Sequence, residues 1–294
     1  MSDTSEAGAT RLRGIALMIA AGFCFVMLDV CAKYLTHELH VLEIIWGRYT
    51  FHALFMLALL GPRFGLGLVR TRRLGLQVTR SLLLLHATGF FFTALKHIPL
   101  AEATTVAFVN PLIVTALAVP LLGERVGLRR WAAVLVGFVG VIVVLRPGLG
   151  VMHWAAVLPL GMATCLAFYQ IFTRMLVAGE SPYATLFYTA LVASIVASLL
   201  VPLVWTTPST EAWLILVLMG LIGGIGHYFM IKALEFAPAA VVAPFAYVNL
   251  IWVTVAGFVF FADLPDRFTV LGTLIIVGSG LFIVYREHRL RRQS

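Results

Sequence analysis

A stretch of about thirty residues occurs twice in this chain, and the repetition limits the folds that the chain can adopt. The copy that begins at Ala94 aligns without a gap on the copy that begins at Ala233, at an offset of about 139. Asn110 pairs with Asn249 in this alignment. Each copy holds roughly twenty apolar residues between a proline and an acidic residue, enough to cross a bilayer once. The pattern predicts a duplicated membrane protein.

The composition excludes a water-soluble domain. Hydrophobic residues make up 61% of the chain and charged residues 12%, whereas soluble domains are about half apolar and a quarter charged. The net charge of +8 comes from basic residues at the ends of apolar spans. We therefore expect the lipid bilayer as a partner, and no nucleic acid. The three cysteines lie inside apolar spans and are not spaced as a disulfide scaffold or a zinc site.

Ten apolar spans follow one another, and they predict an all-α integral membrane protein of ten transmembrane helices. The spans are 14–35, 42–60, 78–95, 100–121, 128–146, 153–177, 182–203, 212–233, 239–261 and 268–285. Two inverted five-helix repeats are predicted at 14–146 and 153–285, joined by a linker at 147–152. Residues 1–13 are predicted to be a cytoplasmic tail, disordered over 1–10, and 286–294 a basic cytoplasmic tail.

Lysine and arginine are distributed unevenly between the two ends of the spans. Sixteen lie on the N-terminal side, meaning the side of the membrane that holds the N-terminus, and five lie on the other side. Together they make the 21 of the sequence. Cytoplasmic ends carry such an excess, so both termini are predicted to be cytoplasmic. Because five is an odd number, the second half must cross the membrane upside down relative to the first. Inverted repeats can exchange two conformations that open a central site to opposite sides.

The chain resembles the drug/metabolite transporter superfamily, in particular its ten-helix EamA-type members. The resemblance is carried by Ala94-Leu95, Pro99, the run 101–105, Asn110-Pro111 and Leu122–Arg125. The second half departs from the pattern, since Leu250 follows Asn249 and Ala262-Asp263 replaces Gly-Glu. The resemblance implies an inner-membrane carrier of small metabolites with a cavity between its halves. Its aromatic residues suggest similarity to the YddG-type aromatic amino acid exporters.

Asn110 and Asn249 fall near the centres of the fourth and ninth spans, where polar groups are costly and hence candidates for function. Two amides facing one cavity would bind both ends of a zwitterion, because an amide donates and accepts hydrogen bonds. The alternative is a bond to a neighbouring helix. Phe108 and Tyr247 are repeat mates beside the asparagines and are predicted to line the cavity.

Further candidates lie inside the spans. Those for substrate contact are His86, Trp46, Tyr169 and Gln170, and those for gating or coupling are Asp29, Glu102, Pro111 and Pro244. Each has a structural alternative: a core histidine, a packing aromatic ring, a solvated acid or a static kink. Arg48 is expected to pair with Asp29 or Glu43. Glu124 and Arg125 are interpreted as a gate or anchor pair at the end of the fourth span.

These observations predict a secondary transporter of the inner membrane that exports amino acids or similar small metabolites by alternating access. An exporter of drugs or quaternary ammonium compounds is the alternative within the class, with Asp29 as its carboxylate. A channel would need a pore lined by symmetric rings, and an enzyme would need a nucleophile or metal constellation at one face. Neither pattern is found, so we expect no catalysis, cofactor or metal, in a monomer or homodimer.

Overall fold

The computed structural model describes residues 2–123, 127–147, 153–176, 179–237 and 239–291. Within these ranges the chain forms helices and their connections. The expected Glu124–Arg125 pair and most of the linker 147–152 lie outside the described residues. The α-helices are α1 Ser2–Leu35, α2 Val41–Phe64, α3 Leu74–Leu95, α4 Leu100–Ala107, α5 Asn110–Leu122, α6 Leu128–Leu145, α7 Leu158–Leu176, α8 Pro182–Leu200, α9 Thr210–Phe236, α10 Ala239–Val242, α11 Asn249–Phe261 and α12 Arg267–Arg291.

The ten predicted spans are confirmed. In the described part of the chain, ten helical stretches are long and apolar enough to cross a membrane. An even number of crossings brings both ends of the chain to one face, which we call the terminal face. The other is the opposite face.

The expectation of a disordered segment at 1–10 is wrong, because α1 begins at Ser2. Once the apolar part of α1 is helical, each further residue adds one backbone hydrogen bond without a new nucleation step.

The fourth and ninth spans are interrupted, although the sequence pattern predicts one helix for each. The fourth consists of α4 and α5, with Phe108 and Val109 between them. The ninth consists of α10, a 3₁₀ segment Ala243–Val248, and α11. Pro111 lies in the first turn of α5 and Pro244 in the first turn of the 3₁₀ segment, where a missing N–H is tolerated. The predicted kinks are therefore breaks at equivalent positions of the two repeats.

Helix packing follows the inverted repeat. In the first half α3 packs on α7, and in the second half the equivalent α9 packs on α1. Likewise α5 packs on α7 as α11 packs on α1. The pair α6–α12 joins equivalent helices of the two halves, and the pair α4–α11 joins the equivalent fourth and ninth spans. Small residues allow close approach, since a Cβ at Gly220 of α9 would overlap the side chain of Phe51 in α2.

Candidate functional site

A group of polar side chains lies inside the spans, away from both ends of their helices. We call it the central polar cluster, and its members are Asp29 of α1, Arg48 and His52 of α2, Thr88 of α3 and His227 of α9. Ionisable groups at this depth are expensive and usually face the bundle interior or a cavity. The cluster brings together residues from both repeats.

Arg48 is held by aromatic rings and one hydroxyl. Its Nη1 lies 3.4 Å from Thr88 Oγ1, and its guanidinium carbon lies 5.0 Å from the Tyr49 ring centre and 5.4 Å from that of Phe92. The Tyr49 hydroxyl is 2.7 Å from the same Thr88 oxygen. Cation–π contacts stabilise a guanidinium without neutralising it. None of the described carboxylates lies within ion-pair distance of Arg48.

Asp29 lies on α1, and both α1 and α2 pack against α9. It lies six residues before the end of α1, about 9 Å from that end, and its side chain is partly accessible. Arg48 acts on it electrostatically, but no ion pair joins them among the described residues. The predicted pairing of Arg48 with Asp29 or Glu43 is therefore not observed as direct contact. Glu43 is instead fully buried and binds the backbone N–H of Thr206 at 2.7 Å.

His52 and His227 face each other across α2 and α9, with ring centres 5.4 Å apart. His227 Nδ1 lies 2.8 Å from the carbonyl oxygen of Gly223. His52 is 4% exposed, and its Nε2 has no hydrogen-bond partner. A buried, unpaired ring nitrogen costs free energy, so this atom marks a place for a substrate or water hydrogen bond.

Arg80 is one of the sixteen basic residues assigned to the N-terminal side, but the structure buries it inside α3. It lies about 9 Å along α3 from the helix start and is 1% exposed. Its Nε donates to Thr173 Oγ1 at 2.9 Å and its Nη1 to the carbonyl of Thr185 at 2.8 Å. The Tyr169 ring centre lies 4.4 Å from its guanidinium carbon. Because several helices supply these partners, one guanidinium joins α3 to α7 and α8.

The two asparagines occupy equivalent positions in the two halves. Asn110 donates from Nδ2 to the carbonyl of Ala163 in α7 at 2.9 Å. Asn249 lies against Gly22 of α1, the repeat equivalent of Ala163, and a Cβ there would overlap the amide. Asn249 Oδ1 is buried without a hydrogen-bond partner. Both amides thus contact a neighbouring helix, the arrangement expected of the helix-packing alternative.

Replacing each asparagine by leucine, which has nearly the same shape, separates the two interpretations. Asn110→Leu removes a hydrogen bond worth about 0.6–2 kcal/mol between membrane helices, so we expect a lower unfolding temperature. Asn249→Leu removes an unpaired oxygen, so we expect little change or a small gain. Thermal unfolding of the purified variants in detergent measures both. Unchanged unfolding of Asn110→Leu together with lost transport would instead assign that amide to the substrate.

Phe108 and Tyr247 meet at the helix breaks. Their ring centres are 5.3 Å apart with 30° between the planes. A Cβ at Gly280 of α12 would overlap the Tyr247 hydroxyl. Because the two residues are repeat mates, their contact lies on the axis that relates the halves. Pro111 and Pro244 lie close in sequence to the same breaks.

Four other predicted residues lie outside the central polar cluster. His86 is exposed, and its Nδ1 is 2.8 Å from the carbonyl oxygen of Leu82 in the same helix. It projects about 200° around α3 from Thr88. Trp46 packs against Trp205 and Trp213 near the opposite face. The remaining two are Gln170, which is exposed, and Glu102, which lies near Arg146 and Asp266 at that face.

The sequence alone assigns no site role to Arg80, Thr88 or His227. Comparison of the repeats carries a signal for one of them. The second-half equivalent of Arg80 is Met219, and that of Asp29 is Gln170. The arrangement of helices is the same in the two halves, whereas the charges of Arg80 and Asp29 occur in the first half alone. A charged position with an uncharged equivalent is therefore a useful indicator of the site in a duplicated membrane protein.

In the described part of the chain, ten helical stretches that are long and apolar enough to cross a membrane, with breaks at equivalent positions of the two halves, define a multi-pass membrane protein. The chain belongs to the EamA-like transporter family, whose model matches residues 12–146 and 153–285. The family therefore confirms the drug/metabolite transporter resemblance, and its two matches coincide with the two repeats.

Curated relatives of similar length carry different small molecules. An S-adenosylmethionine uptake transporter of Rickettsia prowazekii is 30% identical over 97% of both chains. A riboflavin transporter of Rhizobium johnstonii is 31% identical over 95% of this chain and 93% of its own. A pseudopaline exporter of Pseudomonas aeruginosa is 28% identical over 90% of this chain and 93% of its own. A solved crystal structure with a TM-score of 0.66 and 20% identity, covering 96% of this chain and 98% of its own, shares the fold.

Proposed function

We propose that this protein is a secondary transporter that moves amino acids, or small metabolites containing an amino acid group, by alternating access. The observation that carries the proposal is the separation of charge in the central polar cluster. Asp29 of α1 and Arg48 of α2 influence each other electrostatically, and no ion pair joins them among the described residues. A zwitterion placed between them would offer its ammonium to the carboxylate and its carboxylate to the guanidinium.

The cluster also suits the rest of such a substrate. His52 Nε2 has no partner, and the rings of Tyr49, Phe92 and His227 lie nearby. Pockets for small molecules combine an apolar wall with a few polar groups. The S-adenosylmethionine carrier among the relatives agrees with an amino acid group as the shared element. The riboflavin carrier has a substrate without an amino acid group, so the argument rests on the residues of this chain and not on its relatives as a group.

A lipophilic cation is the second candidate substrate, and Asp29 favours it. A carboxylate without a direct partner inside the membrane attracts a cation. Arg48 opposes this reading, because the same cation would approach a second positive charge. The two candidates therefore differ in their need for Arg48.

Uptake into proteoliposomes tests the proposal. Purified protein is offered labelled amino acids, S-adenosylmethionine, riboflavin and a lipophilic cation, with and without a pH gradient in either direction. We expect saturable uptake of a zwitterion that is lost in both Asp29→Asn and Arg48→Gln. Uptake of the cation that survives in Arg48→Gln would overturn the zwitterion proposal. The gradient that drives accumulation reports whether transport runs as the predicted export.

We also place the protein in the inner membrane with both termini in the cytoplasm. The support is the excess of lysine and arginine at the terminal face. A fluorescent protein fused to the C-terminus becomes fluorescent in the cytoplasm, whereas alkaline phosphatase is active only outside it. An active phosphatase fusion would reverse the orientation.

A further inference from the structure

A groove runs between α6 and α12 on the outer surface of the bundle, near the terminal face. The groove has a volume of about 460 Å³, and one side of each helix lines it. The lining residues include Arg129, Ala132 and Val136 of α6, and Gly278 and Phe282 of α12. Val136 and Phe282 are exposed, so the groove opens sideways, towards the lipid.

The groove exists because α6 and α12 are in close contact only nearer the opposite face. A Cβ at Gly272 would overlap the side chain of Val144 and would lie 2.7 Å from the carbonyl oxygen of Gly140. Gly278 lies about 9 Å further along α12, and a Cβ there would meet no atom within 4 Å. The two helices therefore pack tightly at one end of their contact and leave open space at the other.

The depth of the groove matches one leaflet of a bilayer. Arg129 lies in the first turn of α6, and Val136 lies two turns further, about 10 Å along the helix axis. Half of a hydrocarbon core of about 30 Å is about 15 Å. A molecule that fills the groove therefore has its polar end at the terminal face and its apolar part in the adjacent leaflet.

Two basic side chains belong to the polar end of the groove. Arg129 lines it, and Arg286 follows Phe282 by one turn on the same side of α12. Among the described residues, no acidic side chain lines the groove and no carboxylate forms an ion pair with either guanidinium. The groove thus combines an apolar wall with a positively charged end, which is complementary to an anionic amphiphile.

We infer that this groove binds one anionic phospholipid, with its phosphate between Arg129 and Arg286 and an acyl chain beside Gly278. Basic pockets between transmembrane helices bind the headgroups of anionic lipids. A guanidinium suits a phosphodiester because it donates two parallel hydrogen bonds. A zwitterionic phospholipid fits less well, because its own ammonium would lie near the same two cations.

A lipid bound in this groove should stabilise the folded protein, because α6 and α12 join the two halves and a ligand that binds only the folded state opposes unfolding. Delipidated protein in detergent is offered phosphatidylglycerol or phosphatidylcholine with the same acyl chains. Native mass spectrometry counts the bound molecules and compares the affinities of the two lipids. We expect one phosphatidylglycerol to bind about fivefold more tightly or better, and to raise the unfolding temperature more than phosphatidylcholine does.

Two kinds of variant separate the headgroup contact from the acyl-chain contact. Arg129→Gln with Arg286→Gln should weaken phosphatidylglycerol binding by about fivefold or more, to the level of phosphatidylcholine. Gly278→Leu fills the open space with a side chain and should remove the bound molecule of either lipid. Arg63→Gln and Gly75→Leu are the matched controls, because both positions are exposed at the terminal face in other helices, and they should leave lipid binding unchanged.

Gly278→Leu should unfold at nearly the original temperature in the absence of lipid, since its Cβ displaces no atom. If it does not fold, the arginine variants decide the outcome, because they leave the packing of α6 on α12 intact. Equal affinity for the two lipids, or unchanged phosphatidylglycerol binding in folded Gly278→Leu, would overturn the inference and leave non-specific surrounding lipid. A dimer in detergent that becomes a monomer in Gly278→Leu would also overturn it, and would assign the groove to a second copy of the chain.

Discussion

Asp29→Asn is expected to lower saturable uptake by about tenfold to a hundredfold while the protein continues to fold. A hydrogen bond to a charged group contributes about 1.5–3 kcal/mol, and 1.4 kcal/mol is tenfold in affinity. Asparagine has the shape of aspartate but lacks its charge. Because Asp29 makes no ion pair among the described residues, the substitution breaks no contact that stabilises the fold.

The measurement is the concentration dependence of uptake together with an unfolding temperature. We expect a higher half-saturating concentration or a lower maximal rate, with the unfolding temperature nearly unchanged. Gln170→Asn is the matched control, because Gln170 is the repeat equivalent of Asp29 and is exposed. Full transport by Asp29→Asn would remove Asp29 from the site and leave Arg48 without its proposed partner in substrate binding.

Arg80→Met is expected to destabilise the protein by about 3 kcal/mol. Methionine is the residue at the equivalent position 219, so the substitution makes the halves alike. Arg80 donates hydrogen bonds to Thr173, to the Thr185 carbonyl and to Gln77. Bonds from a charged donor contribute about 1.5–3 kcal/mol each, and methionine recovers part of this through its apolar volume.

Thermal unfolding in detergent measures this loss, with Arg70→Met as the control. Arg70 is exposed in the connection between α2 and α3. We expect a clearly lower unfolding temperature for Arg80→Met and an unchanged one for Arg70→Met. Equal stability of the two would mean that the buried guanidinium serves the substrate and does not hold α3 to α7 and α8.

The repeat and the ten spans could be predicted because they depend on composition and length alone. The break beside Asn110 was also foreseeable, since a proline inside a span removes a backbone donor. The equivalence of Phe108 and Tyr247 in the two copies predicts that both line the cavity, whereas their ring contact is a finding of the structure. These features depend on the composition of single spans and on the alignment of the two copies, both of which are visible in the sequence.

The faces of the helices could not be predicted in the same way. A helix in lipid is apolar on all sides, so periodicity does not say which side faces the interior. His86 and Thr88 lie two residues apart in α3, yet one is exposed and the other reaches Arg48. Trp46 and Arg48 are likewise two residues apart in α2, but Trp46 contacts Trp205 whereas Arg48 contacts Thr88. Only the packing of α2 and α3 against α8, α9 and α7 distinguishes them.

The interrupted fourth and ninth spans have a mechanical consequence. An unbroken helix behaves as a stiff rod, so a tilt at one end displaces the other end in the opposite sense. Here α4 and α11 pack together towards one face, while α5 and α10 lie towards the other. Bending concentrates where backbone hydrogen bonds are missing. The fourth and ninth spans can therefore bend at their breaks, where Phe108 contacts Tyr247. The part of each span near one face can then tilt without displacing the part near the other face.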